Sequence, residues 1–206
     1  KGVGKSDKNL GVIERLGVII GDTTYPTNNT TPESYDVQKY LNQMVEEGCQ
    51  CAVMEASSLG LKWHRTDGLV FDYGVFTNFS PDHIGENEHS CLEEYAACKG
   101  LLFQSCKLGL VNIDDPACET ILKDHTCELE TFGFSNPQAQ LKGSNEGLIY
   151  RPGYLGLILT FPGNEAERKR DIPGKFSAYN AIAAIAVCRH FPVSEQNILD
   201  GLNEVK

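Results

Sequence analysis

Short apolar runs alternate with amphipathic stretches along this chain, a pattern that predicts α/β layering around a mostly parallel sheet. Residues 31–48 predict a helix, with Thr31 as N-cap, Pro32 at the first helical position and Gly48 as the stop. Val37, Leu41, Met44 and Val45 fall on one face of it. Residues 51–55 then read as a buried strand that ends in the carboxylate of Glu55. A second unit follows: a strand at 73–78, a polar loop, and a helix over about 91–106. Leu92, Tyr95, Ala96, Lys99, Leu102 and Phe103 share one face of that helix, so Lys99 points with apolar neighbours and not with Glu93 and Glu94.

Residues 108–112 predict another strand, with a turn at Asp114-Asp115-Pro116. Between 129 and 170 the runs shorten, and 129–132, 147–150 and 154–161 predict small strands or hairpins. An Ala-rich helix at 177–191 and a last helix at 194–205 complete the pattern. The expected fold is α/β, a mostly parallel sheet flanked by helices with a small antiparallel β addition in the C-terminal half. Glu55, Asn78 and Asn112 all fall at carboxyl ends of predicted strands, the edge where open α/β sheets bind ligands.

Composition narrows the partners. The 206 residues carry a formal net charge of −10, with 41% hydrophobic and 22% charged residues. That balance fits one large globular domain, and the acidity argues against nucleic acid. Eight cysteines form no C-x-x-C pair and are expected to be reduced thiols scattered through the core. With no secretory signal and no apolar run near 18 residues, the expectation is a soluble cytoplasmic protein without membrane contact.

Gly4-Lys5-Ser6 matches the end of a phosphate-binding loop, which cradles phosphates in backbone N–H groups and offers Lys and Ser to phosphate and Mg²⁺. A helix should follow such a loop, yet residues 7–11 are poor helix formers. The expectation is that residues are missing from the sequence after Ser6, with room for a further break before Gly21.

Five segments in order carry a resemblance: Asn29-Thr30-Thr31-Pro32-Glu33-Ser34, Met54-Glu55-Ala56-Ser57-Ser58, Thr77-Asn78-Phe79-Ser80-Pro81-Asp82-His83, Glu94-Tyr95-Ala96-Ala97-Cys98-Lys99, and residues 173–180. This ordered set resembles the Mur ligase family, and the first segment favours its tripeptide-synthetase branch. The resemblance implies a central ATP-binding domain over 1–206, with a P-loop-type sheet and with UDP-binding and C-terminal domains outside this chain. It implies ATP-dependent amide synthesis through an acyl phosphate. The acceptor would be UDP-N-acetylmuramoyl-L-alanyl-D-glutamate, the added amino acid diaminopimelate or lysine, and the enzyme monomeric.

The resemblance also assigns roles. Lys5, Glu55, His83 and Lys99 would be catalytic. Ser6, Glu55, His83 and a carbamylated Lys99 would hold Mg²⁺. Gly4, Lys5, Ser6, Asn78, Asn112 and Asn180 would bind ATP, and Thr30, Thr31, Ser57 and Arg65 the UDP-muramyl dipeptide. The sequence departs from the family at Trp63, Gly85 and Ser177. Those departures keep open a folylpolyglutamate-synthetase-like ligase or a non-catalytic nucleotide-binding paralogue.

Overall fold

The computed structural model describes residues 10–81, 84–86, 88–144, 147–150, 158–159 and 175–204. Gly4, Lys5, Ser6 and His83, with the junction after Ser6, lie outside the described residues. The first apolar runs form an antiparallel meander, β1 (Leu10–Glu14), β2 (Gly17–Ile20) and β3 (Thr23–Tyr25). The closeness of residues 12–13 to 18–20 is that of a hairpin, which the sequence reading did not foresee. β4 (Cys51–Met54) pairs with β1 in parallel, giving the order β3-β2-β1-β4.

α1 (Ser34–Glu46) connects β3 to β4. Its stop is as expected. Gly48 adopts φ +81°, its N–H donates to Val45 O, and Cys49 N–H donates to Met44 O, the paired bonds of a Schellman ending. Its start is not: Glu33 holds the N-cap position and its side chain makes no capping bond, while the Thr31 hydroxyl is used elsewhere. Val37 and Met44 are buried, Met44 against Ile13, Val18 and Ile20 of β1 and β2, while Val45 is 72% exposed and leaves the predicted face. β4 also departs from the buried strand expected there: as the outer strand of its sheet among the described residues, it leaves Val53 half exposed.

The larger sheet has the order β10-β9-β8-β7-β6-β5. β5 (Phe71–Phe76), β6 (Cys106–Asn112), β7 (Glu128–Gly133) and β8 (Leu141–Ser144) run parallel, and β9 (Gly147–Tyr150) and β10 (Ile158–Leu159) add antiparallel strands. Residues 129–132, expected among the small strands, therefore belong to the parallel sheet as β7. α2 (Ser58–Lys62) and α4 (Cys118–Ile121) were not foreseen, being too short to show a period.

α3 (Leu92–Gly100) continues as a 3-10 turn over Leu101–Gln104. Ala96 and Phe103 pack with Phe76 and Val111 on one side of the sheet, while Leu92 lies at the surface. On another side α5 (Lys175–Cys188) and α6 (Glu195–Glu204) bring Ile182, Ile185 and Ile198 onto Leu110, Phe132 and Leu141. Among the described residues no helix is long and apolar enough to cross a membrane.

Candidate active site

Glu55 follows β4 directly. Its N–H donates to Ile13 O (2.8 Å), and its carbonyl accepts from the Thr31 hydroxyl (2.9 Å). The main chain is thus pinned on both sides, while the carboxylate stands exposed at the sheet's carboxyl edge. Thr31 is fully buried, and its hydroxyl also accepts from Ser57 N–H at 2.9 Å and lies 3.0 Å from Ser57 Oγ. Half-buried Thr30 precedes it.

Ser57 caps α2 through Gly60 N–H, and only glycine fits at position 60, where a Cβ would stand 2.6 Å from Thr31 Cβ. His64, in the left-handed region at φ 58°, ends α2 with the same paired bonds that close α1. That turn brings Arg65 back beneath Thr31. One guanidinium nitrogen donates to Thr31 O (3.1 Å), another meets the Glu33 carboxylate (2.7 Å), and the Trp63 ring covers it at 4.9 Å. The structure therefore draws Thr31, Glu55, Ser57 and Arg65 into one network.

Thr31→Val keeps shape and volume but leaves the Ser57 amide and Glu55 carbonyl unmatched. It is expected to cost about 1–3 kcal/mol, since an unsatisfied buried polar group carries that penalty. Urea unfolding followed by circular dichroism measures it.

The second group surrounds the ends of β5 and β6. Asn112 is buried, donating from Nδ2 to Thr77 O (2.7 Å) and accepting Asp114 N–H at Oδ1 (3.0 Å). Exposed Asn78 accepts the Thr77 hydroxyl. Asp115 accepts the N–H of Phe79 and of Ala117. Asp114 accepts the N–H of Phe134 (2.6 Å), Ser135 (2.9 Å) and Asn136 (2.6 Å) and the hydroxyl of Tyr179 (2.6 Å).

Burial pushes the Asp114 carboxyl up, but the Tyr179 hydroxyl and the three amides outweigh it and hold it below its ordinary value. Burial and Asp114 in turn push the Tyr179 hydroxyl up to about 12, so it remains a donor through the neutral range. Asn180 follows Tyr179 and is exposed. The sequence reading missed this clamp. Its signal was present as two aspartates just past a strand end, residues that often accept nearby backbone N–H groups.

Lys99 is half-buried in the last turn of α3, its Nζ 5.0 Å from the centre of the Tyr95 ring. Two contacts tie α3 and its leading loop to α2. Lys62 Nζ meets Glu94 Oε1 at 2.6 Å, and His89 Nε2 lies 2.8 Å from Ser58 Oγ. The Lys62 contact, helped by Ser90, holds the Glu94 carboxyl down at about 2. His89 and Ser58 carried no recognisable sequence signal, since the loop that brings them together has no periodicity.

These features define an open α/β domain whose candidate ligand groups gather where parallel strands end. The chain belongs to the Mur ligase middle domain family, whose sequence pattern matches residues 5–188. It is 34% identical over 200 residues to UDP-N-acetylmuramoyl-L-alanyl-D-glutamate--2,6-diaminopimelate ligase 1 of Clostridium acetobutylicum, a match covering 97% of this chain and 40% of that protein. It is 33% identical over 206 residues to the diaminopimelate ligase of Caldanaerobacter subterraneus subsp. tengcongensis, covering 98% and 41%. A solved structure of UDP-N-acetylmuramoyl-L-alanyl-D-glutamate--2,6-diaminopimelate ligase superposes with a TM-score of 0.74 at 25% identity, covering 96% of this chain and 40% of that one. The chain thus spans about two-fifths of the length of these relatives.

Proposed function

We propose that this chain is the ATP-binding middle portion of a ligase that joins a third amino acid, diaminopimelate or lysine, to UDP-N-acetylmuramoyl-L-alanyl-D-glutamate. The observation that carries the reading is the network joining Thr31, Glu55, Ser57 and Arg65, which fixes four assigned residues at the edge where ligands of such sheets bind. The names of the relatives supply the substrate.

In this reading the substrate carboxylate attacks the γ-phosphorus of ATP, ADP leaves, and the amine of the incoming amino acid displaces phosphate from the acyl phosphate. Arg65 exchanges Glu33 for a substrate carboxylate, a bidentate partner of the same chemistry. Thr30 and Ser57 would contact the same substrate, with the fully buried Thr31 bracing Ser57 from beneath. Gly4, Lys5 and Ser6 hold the phosphates, and Asn78, Asn112 and Asn180 serve the nucleotide, with Asn112 acting through the main chain it braces.

When bound, Mg²⁺ would supply neutralisation of the charge that develops on the phosphoryl oxygens. The described donors fit it: Glu55 offers an exposed carboxylate on a pinned backbone, the hard oxygen ligand this ion prefers. Ser6 and His83 complete the set by sequence. Lys99 joins as a carbamate: its neutral amine adds to CO₂, a proton leaves to solvent, and a carboxylate forms on a long stem. That conversion gives up the ammonium contact with Tyr95, which is worth about 0.5–1 kcal/mol at a partly exposed site. The reaction's soluble nucleotide substrates place the enzyme in the cytoplasm.

The test is an assay of the full-length protein with MgATP, the UDP-muramyl dipeptide and a panel of amino acids. Phosphate release that requires both the dipeptide and one diamino acid, with the matching gain in product mass, supports the reading. Turnover on a folate substrate instead would move the protein to the folylpolyglutamate-type ligases. ATP binding with no turnover on any substrate would make it a non-catalytic paralogue.

A further inference from the structure

Apart from the groups assigned above, one cluster gathers a nitrogen, an oxygen and a sulfur donor. The ligand atoms of His89, Glu94 and Cys98 all lie within 4.8 Å of one another. Glu94 and Cys98 stand four residues apart on α3 and so share a face, while His89 comes from the loop ahead of the helix. We propose that His89, Glu94 and Cys98 form a binding site for a borderline-soft divalent cation of the Zn²⁺ class, separate from the Mg²⁺ position.

The imidazole is already oriented. It is buried, stacked at 5.0 Å on Tyr95, and its Nε2 lies 2.8 Å from Ser58 Oγ. With the Nε2 proton donated to Ser58, Nδ1 carries the lone pair, the outer-shell arrangement that fixes the tautomer of a metal-bound histidine. The mixed donor set suits Zn²⁺ and not Mg²⁺ or Ca²⁺, which take oxygen ligands. Zinc bonds of about 2.0–2.3 Å place tetrahedral ligand atoms about 3.3–3.8 Å apart, so the cluster must close by about an ångström. Side-chain rotation on one helix face and one loop supplies that.

The place also already attracts a cation. Lys62 Nζ sits 2.6 Å from Glu94 Oε1, while burial and then Glu94 push the Cys98 thiol up, so the bound ion itself must draw off its proton. On metal binding Lys62 swings to solvent, and the Cys98 thiol gives its proton to water. The thiolate and the Glu94 carboxylate then balance the ion's two charges. The ion would bind the loop to α3 one residue before Lys99.

Competition with Lys62 gives the site a signature. Titration of the reduced full-length protein with CoCl₂ is expected to produce visible d–d absorption and a thiolate-to-cobalt charge-transfer band. Added Zn²⁺ should remove both, and excess Mg²⁺ should leave both unchanged. Cys98→Ser should abolish the charge-transfer band, Ser58→Ala should weaken binding roughly 10–100-fold through the freed imidazole, and Lys62→Met should tighten it. Circular dichroism establishes that each variant is folded. A charge-transfer band surviving in folded Cys98→Ser, or no band at all in Lys62→Met, overturns the proposal.

Discussion

Asp114→Ala is expected to lower folding stability by about 3–5 kcal/mol, because hydrogen bonds to a charged acceptor are worth about 1.5–3 kcal/mol each and four end on this carboxylate. The group is half-buried, so water recovers part of the sum. The loss should appear as a lower urea midpoint with an unchanged slope. Asp114→Asn, which keeps one acceptor oxygen and no charge, should lose less.

The same residue sets an acid limit. Its folded-state pKa is depressed, so its stabilisation is fully present above the unfolded value of about 3.9 and fades as pH falls through the lower folded value. The wild-type protein should lose this contribution below about pH 4, and the Asn variant should show a flatter stability profile across that window. Equal pH slopes in the two proteins would refute the assignment.

Lys99→Ala is expected to lower kcat/KM of the full-length enzyme by about 10²–10³-fold, the usual cost of removing one preorganised stabilising group. Lys99→Arg should lose as much. A guanidinium stays protonated near neutral pH, so it offers no neutral amine to CO₂. Both variants should remain folded, since the side chain is only half-buried and its described ring contact is weak. Depleting bicarbonate should slow the wild type and leave the variants unchanged. An Arg variant with wild-type rate would exclude the carbamate while leaving the rest of the proposed function intact.

The elements that sequence pattern located best are those whose burial follows a single period. Gly48 ended α1 as expected, and β5, β6, α5 and α6 appear within a few residues of their predicted bounds. The helix α3 starts as predicted but gives way to a 3-10 turn after Gly100, short of its expected end near 106. Failures came where tertiary contacts override local preference. Thr31 looks like an N-cap in sequence, but Glu55 and Ser57, more than twenty residues away, claim its hydroxyl. Val45 matches the apolar face of α1 by spacing, yet the buried face runs through Val37 and Met44, and Val45, one residue on, is turned about 100° away from Met44 and lies exposed.

Site residues divide in the same way. The strand-end positions of the candidates Glu55, Asn78 and Asn112 were legible because strand ends are legible. The Asp114 clamp, which ties β6 to Tyr179 sixty-five positions later, and the pairing of Ser58 with His89 depend on loops that carry no repeat.

The outer position of β4 has a consequence for the chain in solution. Residues Cys51–Met54 hold no charge and no proline, and β4 is an outer strand of its sheet among the described residues. Such an edge is a template on which a second copy can add its own strand. Mutual repulsion from the net charge of −10 holds copies apart at neutral pH, and that repulsion vanishes near the isoelectric point of 4.9. Self-association through β4 should therefore set in on mild acidification, about a pH unit before the Asp114 clamp begins to fail, so turbidity would precede unfolding.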